Sequence, residues 1–549
     1  MPAAQVHSAT SGLGLWLSAH GRLWRVSAAL IALLVALPIV LVLSAWLQPQ
    51  PEVWRHLADT VLAELLRNTA VLMLGVGLGV VIVGVGLAWL TVMYEFPGRG
   101  LFEWALVLPL AMPAYVLAFV AVGLFDFSGP VQTGLRALLG AETLWFPPIR
   151  SQGGVIAVLT LAFYPYVYML ARAAFMSQGH AMLESGRVLG LSAWGAFRRV
   201  ALPMARPAIA AGTALALMEA LADFGAVTVF NYDTFTTAIY KAWFGLFNLP
   251  AAAQLASLLL LFVGLALYAE RRARGQARYH AGNRRGREPR YRLKGWRAAA
   301  AFSVAALVLG AAFVLPVAQL LVWAVRTGWQ DLDSRYFDFL LHTVTLGAAA
   351  ALITVMIGLL IAYVRRTWST PLTRALAQFA TLGYALPGSV LAVGSMLLFV
   401  WLDRLLSSDT QISHGVALGS GLAALLFAYV VRFLAVSYGP LDSALERIRP
   451  SIALAARSLG ASQRELLWRV YLPILRPGLL SAALLVLVEV MKEMPATLLL
   501  RPFGWDTLAL RIFEMTSEGE WERAALPALS LVLVGLLPVA LLVRRSAAR

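Results

Sequence analysis

Residues 184–209, ESGRVLGLSAWGAFRRVALPMARPAI, return at an offset of 270 in residues 454–479, LAARSLGASQRELLWRVYLPILRPGL. Arg187, Leu189, Gly190, Ser192, Arg199, Val200, Leu202, Pro203, Arg206 and Pro207 match Arg457, Leu459, Gly460, Ser462, Arg469, Val470, Leu472, Pro473, Arg476 and Pro477. These are ten identities over 21 positions, where unrelated sequence gives on the order of one or two. Further upstream, Thr69, Pro97 and Pro113 recur as Thr343, Pro371 and Pro387, an offset of 274. The chain is therefore a duplication of two homologous halves. Each copy of the opening segment reads as helix, glycine break, short second helix and proline. Gly190 and Gly460 suit the left-handed residue that ends a helix, and Ser192 and Ser462 suit the N-cap of the next. Ser462 with Glu465 forms a capping box that the first copy lacks. Pro203 and Pro473 are expected to stop the second helix before the next apolar stretch begins.

Around these segments the chain is apolar. Of its 549 residues 60% are hydrophobic and 13% charged, with mean hydropathy +0.76, which excludes a water-soluble globule. Twelve stretches reach the ~20 residues of a helical membrane span. They lie near 26–47, 69–93, 104–124, 154–176, 207–230, 250–269, 298–325, 343–364, 376–401, 415–438, 478–500 and 524–543. The first, VSAALIALLVALPIVLVLSAWL, is too long for a signal-peptide core and lacks an A-x-A cleavage pattern, so it reads as a retained span. The expected fold is an all-α polytopic membrane protein, two six-helix halves in one orientation. A pathway between such halves is the natural consequence of their symmetry.

Charge gives the orientation. With both termini inside (N-in/C-in), the inner segments hold 32 Lys and Arg and the outer loops 11, taking Arg172 and Arg432 as span-end residues facing inward. Of 28 acidic residues, 16 fall outside. The net charge of +16 is thus a property of the inner face and calls for no nucleic-acid partner. Residues 270–297 carry eleven of the basic residues and no apolar run, and form a cytoplasmic linker lying against anionic headgroups. The expected domains are 1–269, the linker 270–297, and 298–549. Absence of cysteine excludes disulfides, thiol nucleophiles and cysteine metal sites.

No enzyme-like constellation is present. The seven histidines, at 7, 20, 56, 180, 280, 342 and 414, show no His-x3-His or H-E-x-x-H spacing, so no catalytic residue and no stable metal site is expected. A Walker A loop needs Gly-Lys-Ser/Thr, and none of Lys241, Lys294 and Lys492 follows glycine. Any nucleotide chemistry must then lie in another subunit. The glycines of GVGLGVVIVGVG, with Gly75 and Gly79 at small-xxx-small spacing, read as close helix packing. Trp16, Trp24, Trp46, Trp54, Trp89 and Trp104 lie near span ends, as an interfacial belt does. Four carboxylates lie within spans at a cost of about 2.5–3.5 kcal/mol each. Glu219 and Asp223 on the fifth span correspond to Glu489 and Glu493 on the eleventh, and i, i+4 spacing puts each pair on one helix face. Such faces are candidates to line a negative path for a hard cation. The alternative is a structural network, with Lys492 paired to Glu489 or Glu493.

The opening segments also fit a specific pattern: E-A-A, three residues, G, nine residues, then I-x-L-P. Glu184, Gly190, Val200, Leu202 and Pro203 fit it with Val for Ile, and Gly460, Val470, Leu472 and Pro473 fit again, although Leu454 stands where the first copy has Glu184. This resembles the EAA loop of permease subunits in binding-protein-dependent ABC importers. MEALADFGAVTVF, EVMKEMPATLLLRPFGWDTLAL and LPLAMPAYVLAF resemble segments of the fused ferric-iron permeases, and fused thiamine and aminoethylphosphonate permeases share that architecture. The resemblance implies the type I ABC importer permease fold and a homodimeric ATPase subunit that holds ATP and Mg. That ATPase would be gripped through Glu184, Arg187, Gly190, Val200, Leu202, Pro203, Arg457, Gly460, Val470, Leu472 and Pro473. It also implies a periplasmic solute-binding protein, an inner-membrane location and no cofactor bound by this chain. An ion-coupled secondary transporter is the rival class, and it has no need of two docking loops.

Overall fold

The computed structural model describes residues 19–140, 145–178, 190–274, 290–407 and 421–547. Helix dominates them, as lipid demands: backbone groups without water must bond within their own segment. Eleven described helices are long and apolar enough to cross a membrane. The twelfth expected span appears as the shorter apolar stretch Ala525–Ala540, within the helix Ala525–Ala547.

Two expected spans begin differently. Near 104–124 the chain forms a short helix Arg99–Ala105, a 3-10 turn Leu108–Ala111, and only then the helix Ala114–Phe125. Its repeat counterpart forms Pro371–Ala380, Leu382–Ala385 and Gly388–Ser407. Pro113 and Pro387 cause both breaks, since the residue before a proline is driven out of the helical region: Met112 and Leu386 are extended, at ψ 126 and ψ 132.

The described chain packs as two compact units. One joins the first span to Leu341–Trp505, and the other joins Gln48–Leu340 to Asp506–Arg549. The repeat boundary and the packing boundary are thus different cuts. In the first unit Ala28 of the opening span packs with Val364 and Trp368. In the second, Phe302 of the seventh span meets Phe102 edge-on at 5.4 Å, and Trp323 stacks on Phe119 at 6.4 Å. Spans one and seven are apolar on nearly every face, so nothing local in their sequence names the helix each will join.

The glycine-rich second span, Leu62–Met93, packs closely on the fourth, Gln152–Gln178. A Cβ at Gly75 would meet Ile156, one at Gly79 would meet Thr160, and one at Gly84 would meet Val167 and the backbone of Tyr164 and Tyr168. The small-residue reading holds, and it extends one position beyond the pair chosen from spacing. Of the expected tryptophan belt, Trp46 and Trp104 are exposed. The Trp54 indole instead donates to Gln254 Oε1 at 2.5 Å, Trp24 lies edge-on to Tyr363, and Trp89 meets Phe175; Trp16 is outside the described residues.

Gly84→Leu is expected to lower thermal stability of the detergent-solubilised protein by about 1–3 kcal/mol through overpacking. Gly264→Leu, which meets open space, is expected to leave the melting temperature unchanged.

Candidate functional site

Both repeated loops turn on a glycine in the left-handed region, Gly190 at φ +87 and Gly460 at φ +86. In the second copy the helix Pro450–Ser458 ends in a Schellman motif. Gly460 N donates to Arg457 O at 2.9 Å, and Ala461 N donates to Ala456 O at 3.0 Å. Nothing lies within 4 Å of a Cβ at either glycine, so the backbone angle, and not space, demands glycine. The next helix is capped in both copies. Ser192 Oγ accepts from Gly195 N at 3.1 Å, and Ser462 Oγ accepts from Glu465 N at 3.2 Å. Glu465 Oε2 accepts from Ser462 N at 3.1 Å, completing the expected capping box. These bonds, with Arg469 nearby, hold the Glu465 carboxyl below its usual range.

The prolines do not stop the second helix. In each copy it widens into a π segment, Phe197–Ala201 or Leu466–Tyr471, and continues as the membrane helix Leu202–Ala222 or Leu472–Lys492. Leu202 N donates to Phe197 O and Leu472 N to Leu467 O, five residues back in both cases. Pro203 and Pro473 follow immediately, where their missing N–H falls at the changeover of bonding pattern and costs less than in a regular α-helix. The fifth and eleventh spans therefore begin within the repeated loops, as the stretches Trp194–Ala222 and Leu466–Lys492.

Each element is seated on aromatic and apolar side chains of its own unit. Phe197 lies 4.5 Å from Trp89 and 5.2 Å from Trp194, measured between ring centres. Tyr471 lies 5.8 Å from Tyr363, and Leu466 and Tyr471 share a core with Leu441, Leu445 and Ile448. Arg366 donates to Ile448 O at 2.8 Å, and Arg365 pairs with Asp442 and Glu446. The outward side is apolar in places where no single-sequence pattern announced it. Leu459 is 88% exposed and Trp468 59%, with Leu454 and Trp194 also exposed. In the second copy the exposed Leu454, Leu459 and Trp468 alternate along the chain with the exposed Arg457, Arg464 and Arg469. The sequence did carry one hint, since Leu459 repeats Leu189. Of the residues expected to couple, Gly190, Pro203, Arg457, Gly460 and Pro473 are exposed, and Val200, Leu202, Val470 and Leu472 half-buried. Glu184 and Arg187 lie outside the described residues.

The second carboxylate of each i, i+4 pair stands at the point where its span ends. The fifth span ends at Ala222 and the eleventh at Lys492, so Asp223 and Glu493 are the first residues off each helix, at ψ 130 and ψ 115. A carboxylate there satisfies donors at the start of the next short helix, which a continued helix would not need. Asp223 Oδ1 accepts from Ala226 N at 2.8 Å and Glu493 Oε1 from Ala496 N at 3.2 Å. Only Glu219 and Glu489 remain on the helical spans. Glu489 Oε1 lies 3.9 Å from Lys492 Nζ.

Glu493 also has a partner that sequence reading missed. Arg432 Nε lies 3.1 Å from Glu493 Oε2, with both side chains more than nine-tenths buried, and Arg432 Nη1 donates to Leu386 O at 2.9 Å. Arg432 thus sits inside the helix Leu422–Glu446 and not at an inward-facing span end. Its place in the apolar run AYVVRFLAV was the available signal, because a lone charge in such a run needs a buried partner. Arg172, within the helix Gln152–Gln178, is partly exposed and pairs with Glu103.

Arg432→Ala is expected to destabilise the protein by about 3–5 kcal/mol by stranding Glu493. The paired change Arg432→Met with Glu493→Leu is expected to recover most of that loss in thermal unfolding.

Residues 80–275 and 354–549 each match the family model described as "Binding-protein-dependent transport system inner membrane component". The chain is 30% identical to the Fe(3+)-transport system permease protein FbpB 2 of Haemophilus influenzae, across 88% of this chain and 90% of that protein. It is 29% identical to PhnV of Salmonella typhimurium, named for 2-aminoethylphosphonate transport, across 43% of this chain and 90% of that protein. The molybdenum transport system permease protein ModB of Escherichia coli is 29% identical across 34% of this chain and 80% of its own length.

Proposed function

The chain belongs to the family of binding-protein-dependent transport system inner membrane components, and from that premise we propose that it is the fused permease of an ATP-driven importer of ferric iron. It is a multi-pass inner-membrane protein. The observation that carries the proposal is the duplicated glycine-hinged element, with the same left-handed turn and the same π continuation into a membrane span in each half.

In this reading ATP is hydrolysed by a separate homodimeric subunit, one copy seated on each element. A ligand shifts a conformational equilibrium only as far as it binds the two states differently. Closing the ATPase dimer would draw the elements together, and the continuous helices would transmit that displacement to the fifth and eleventh spans. A loaded periplasmic binding protein would dock on the outer loops, especially those after these two spans, and alternating access would follow. Glu219 and Glu489 would line the path from the helical spans, followed four residues on by Asp223 and Glu493, which also cap the next short helices. Weak, multiple oxygen contacts suit a ferric ion in transit better than a closed site that cannot release it.

Ferric iron is favoured over other cargo because a relative matched across both halves, at 30% identity, carries that name. PhnV and ModB, each matched over less than half of the chain, make 2-aminoethylphosphonate and molybdate the alternatives to try beside thiamine. An uptake assay with these four cargoes, in cells carrying the cognate ATPase and binding protein, tests the choice directly.

Gly190→Asp and Gly460→Asp are each expected to leave the protein in the membrane yet cut uptake at least tenfold, with the ATPase lost from copurification. Normal uptake in both variants contradicts the coupling role. Glu219→Gln combined with Glu489→Gln is expected to slow transport with assembly intact, and wild-type rates in that double variant remove the path assignment.

A further inference from the structure

A groove of about 480 Å³ runs between the second and seventh spans, within one compact unit. Its walls include Ile82, Gly86 and Leu90 on one side and Ala301, Val304 and Val308 on the other. One end is different. There Tyr94 and Arg297 line the mouth, and the linker's last residues are stitched to the end of the second span. Tyr94 and Glu95 pair in parallel with Tyr291 and Arg292, Leu293 N donates to Glu95 O at 2.9 Å, and Arg290 Nε donates to Val92 O at 3.3 Å. Arg292, Lys294 and Arg297 are exposed beside that mouth, and among the described residues none of the three has an ion-pair partner.

The groove therefore has a cationic end and an apolar body. From Tyr94 to Ile82 the second span rises ~18 Å, about the depth of one leaflet of a ~30 Å hydrocarbon core. The other unit shows the same kind of place filled. Both the first and the seventh span open on Trp-Arg, Trp24-Arg25 and Trp296-Arg297. Trp24 turns inward, 5.4 Å from Tyr363, and packs with Ala28, Val364 and Trp368, while Arg25 is buried. Trp296 instead stays 75% exposed, and Gly86 places nothing within 4 Å of its own Cβ position. A gap that protein fills in one unit is left for another occupant in the other.

We propose that this groove holds one anionic phospholipid, an acyl chain lying along Gly86 and its phosphate held by Lys294 and Arg297. Charge complementarity selects an anionic over a zwitterionic headgroup, and the groove's polarity order matches a lipid standing in the leaflet on the linker side. The bound lipid would wedge the seventh span against the second at the point where the linker is anchored.

Native mass spectrometry of the full chain tests this, with phosphatidylglycerol and phosphatidylcholine of identical acyl chains added in competition. One phosphatidylglycerol is expected to be retained per chain, with a preference of about tenfold or more for two engaged charges. Lys294→Gln with Arg297→Gln is expected to abolish the preference, whereas Arg271→Gln with Arg272→Gln, equal in charge and also exposed, is expected to keep it. Gly86→Phe, filling the groove, is expected to lower retention of both lipids while the folded chain, checked by its melting temperature, persists. Equal retention of the two lipids by the wild type overturns the proposal. So does a loss of preference that is the same in both charge variants, which would mark diffuse surface attraction.

Discussion

A helix in lipid has no water to complete its ends, so every break in a span must be closed by the protein itself. Much of this structure follows from that constraint. Asp223 and Glu493 stand at the two breaks in equivalent spans and supply acceptors to the short helices that follow. Thr236 and Thr497 donate back to the carbonyl oxygens of the same two residues, at 2.8 and 2.6 Å. At the opposite ends of those spans the chain avoids a break altogether. A π turn carries each helix past its proline, so the loop's second helix and the span form one continuous rod. In the proposed coupling, a force applied to the short helix after Gly190 or Gly460 would pass along that rod into the span.

The two halves solve the same problem with different side chains. Glu493 adds a buried ion pair with Arg432, where the offset of 270 places Ala162 in the first half. A buried pair of this kind is weak evidence for extra stability, since desolvation offsets most of the attraction. Its more direct effect is positional: Arg432 also binds Leu386 O, tying the tenth and eleventh spans to the bend ahead of the helix Gly388–Ser407. On the first half's loop the seat is built from Trp89, Phe175 and Phe197, and on the second's from Tyr363, Tyr471 and aliphatic residues. Duplication preserved the backbone device and let the packing around it diverge.

Fold class and duplication were legible because they rest on long apolar runs and on identities at fixed offset. The left-handed glycines and the capping box were legible because few residue types satisfy those local geometries. What was not legible is instructive. Proline reads as a helix stop in one dimension, but the preceding turn can widen to receive it, as it does in both copies. The helix ends at Asp223 and Glu493 were hidden for a related reason: the apolar run continues through both residues while the helix does not. Arg432 stands six residues from the expected span end at 438, yet it is buried against Glu493, because position along an apolar run does not report depth in the packing. The exchange of the first and seventh spans between packing units leaves no local trace, since an all-apolar helix is compatible with many neighbours.

The account turns on the two glycine-hinged elements being the seat of a separate motor. The chain has no cysteine of its own, so a single cysteine at Leu191 or Leu459 is a unique crosslinking point. Crosslinking from each position in actively importing membranes, followed by identification of the adducts, is the most direct measurement. The account predicts that both positions capture the same P-loop ATPase, with yields that change when nucleotide is bound. Adducts to lipid or solvent-borne reagent alone, from both positions, would contradict it.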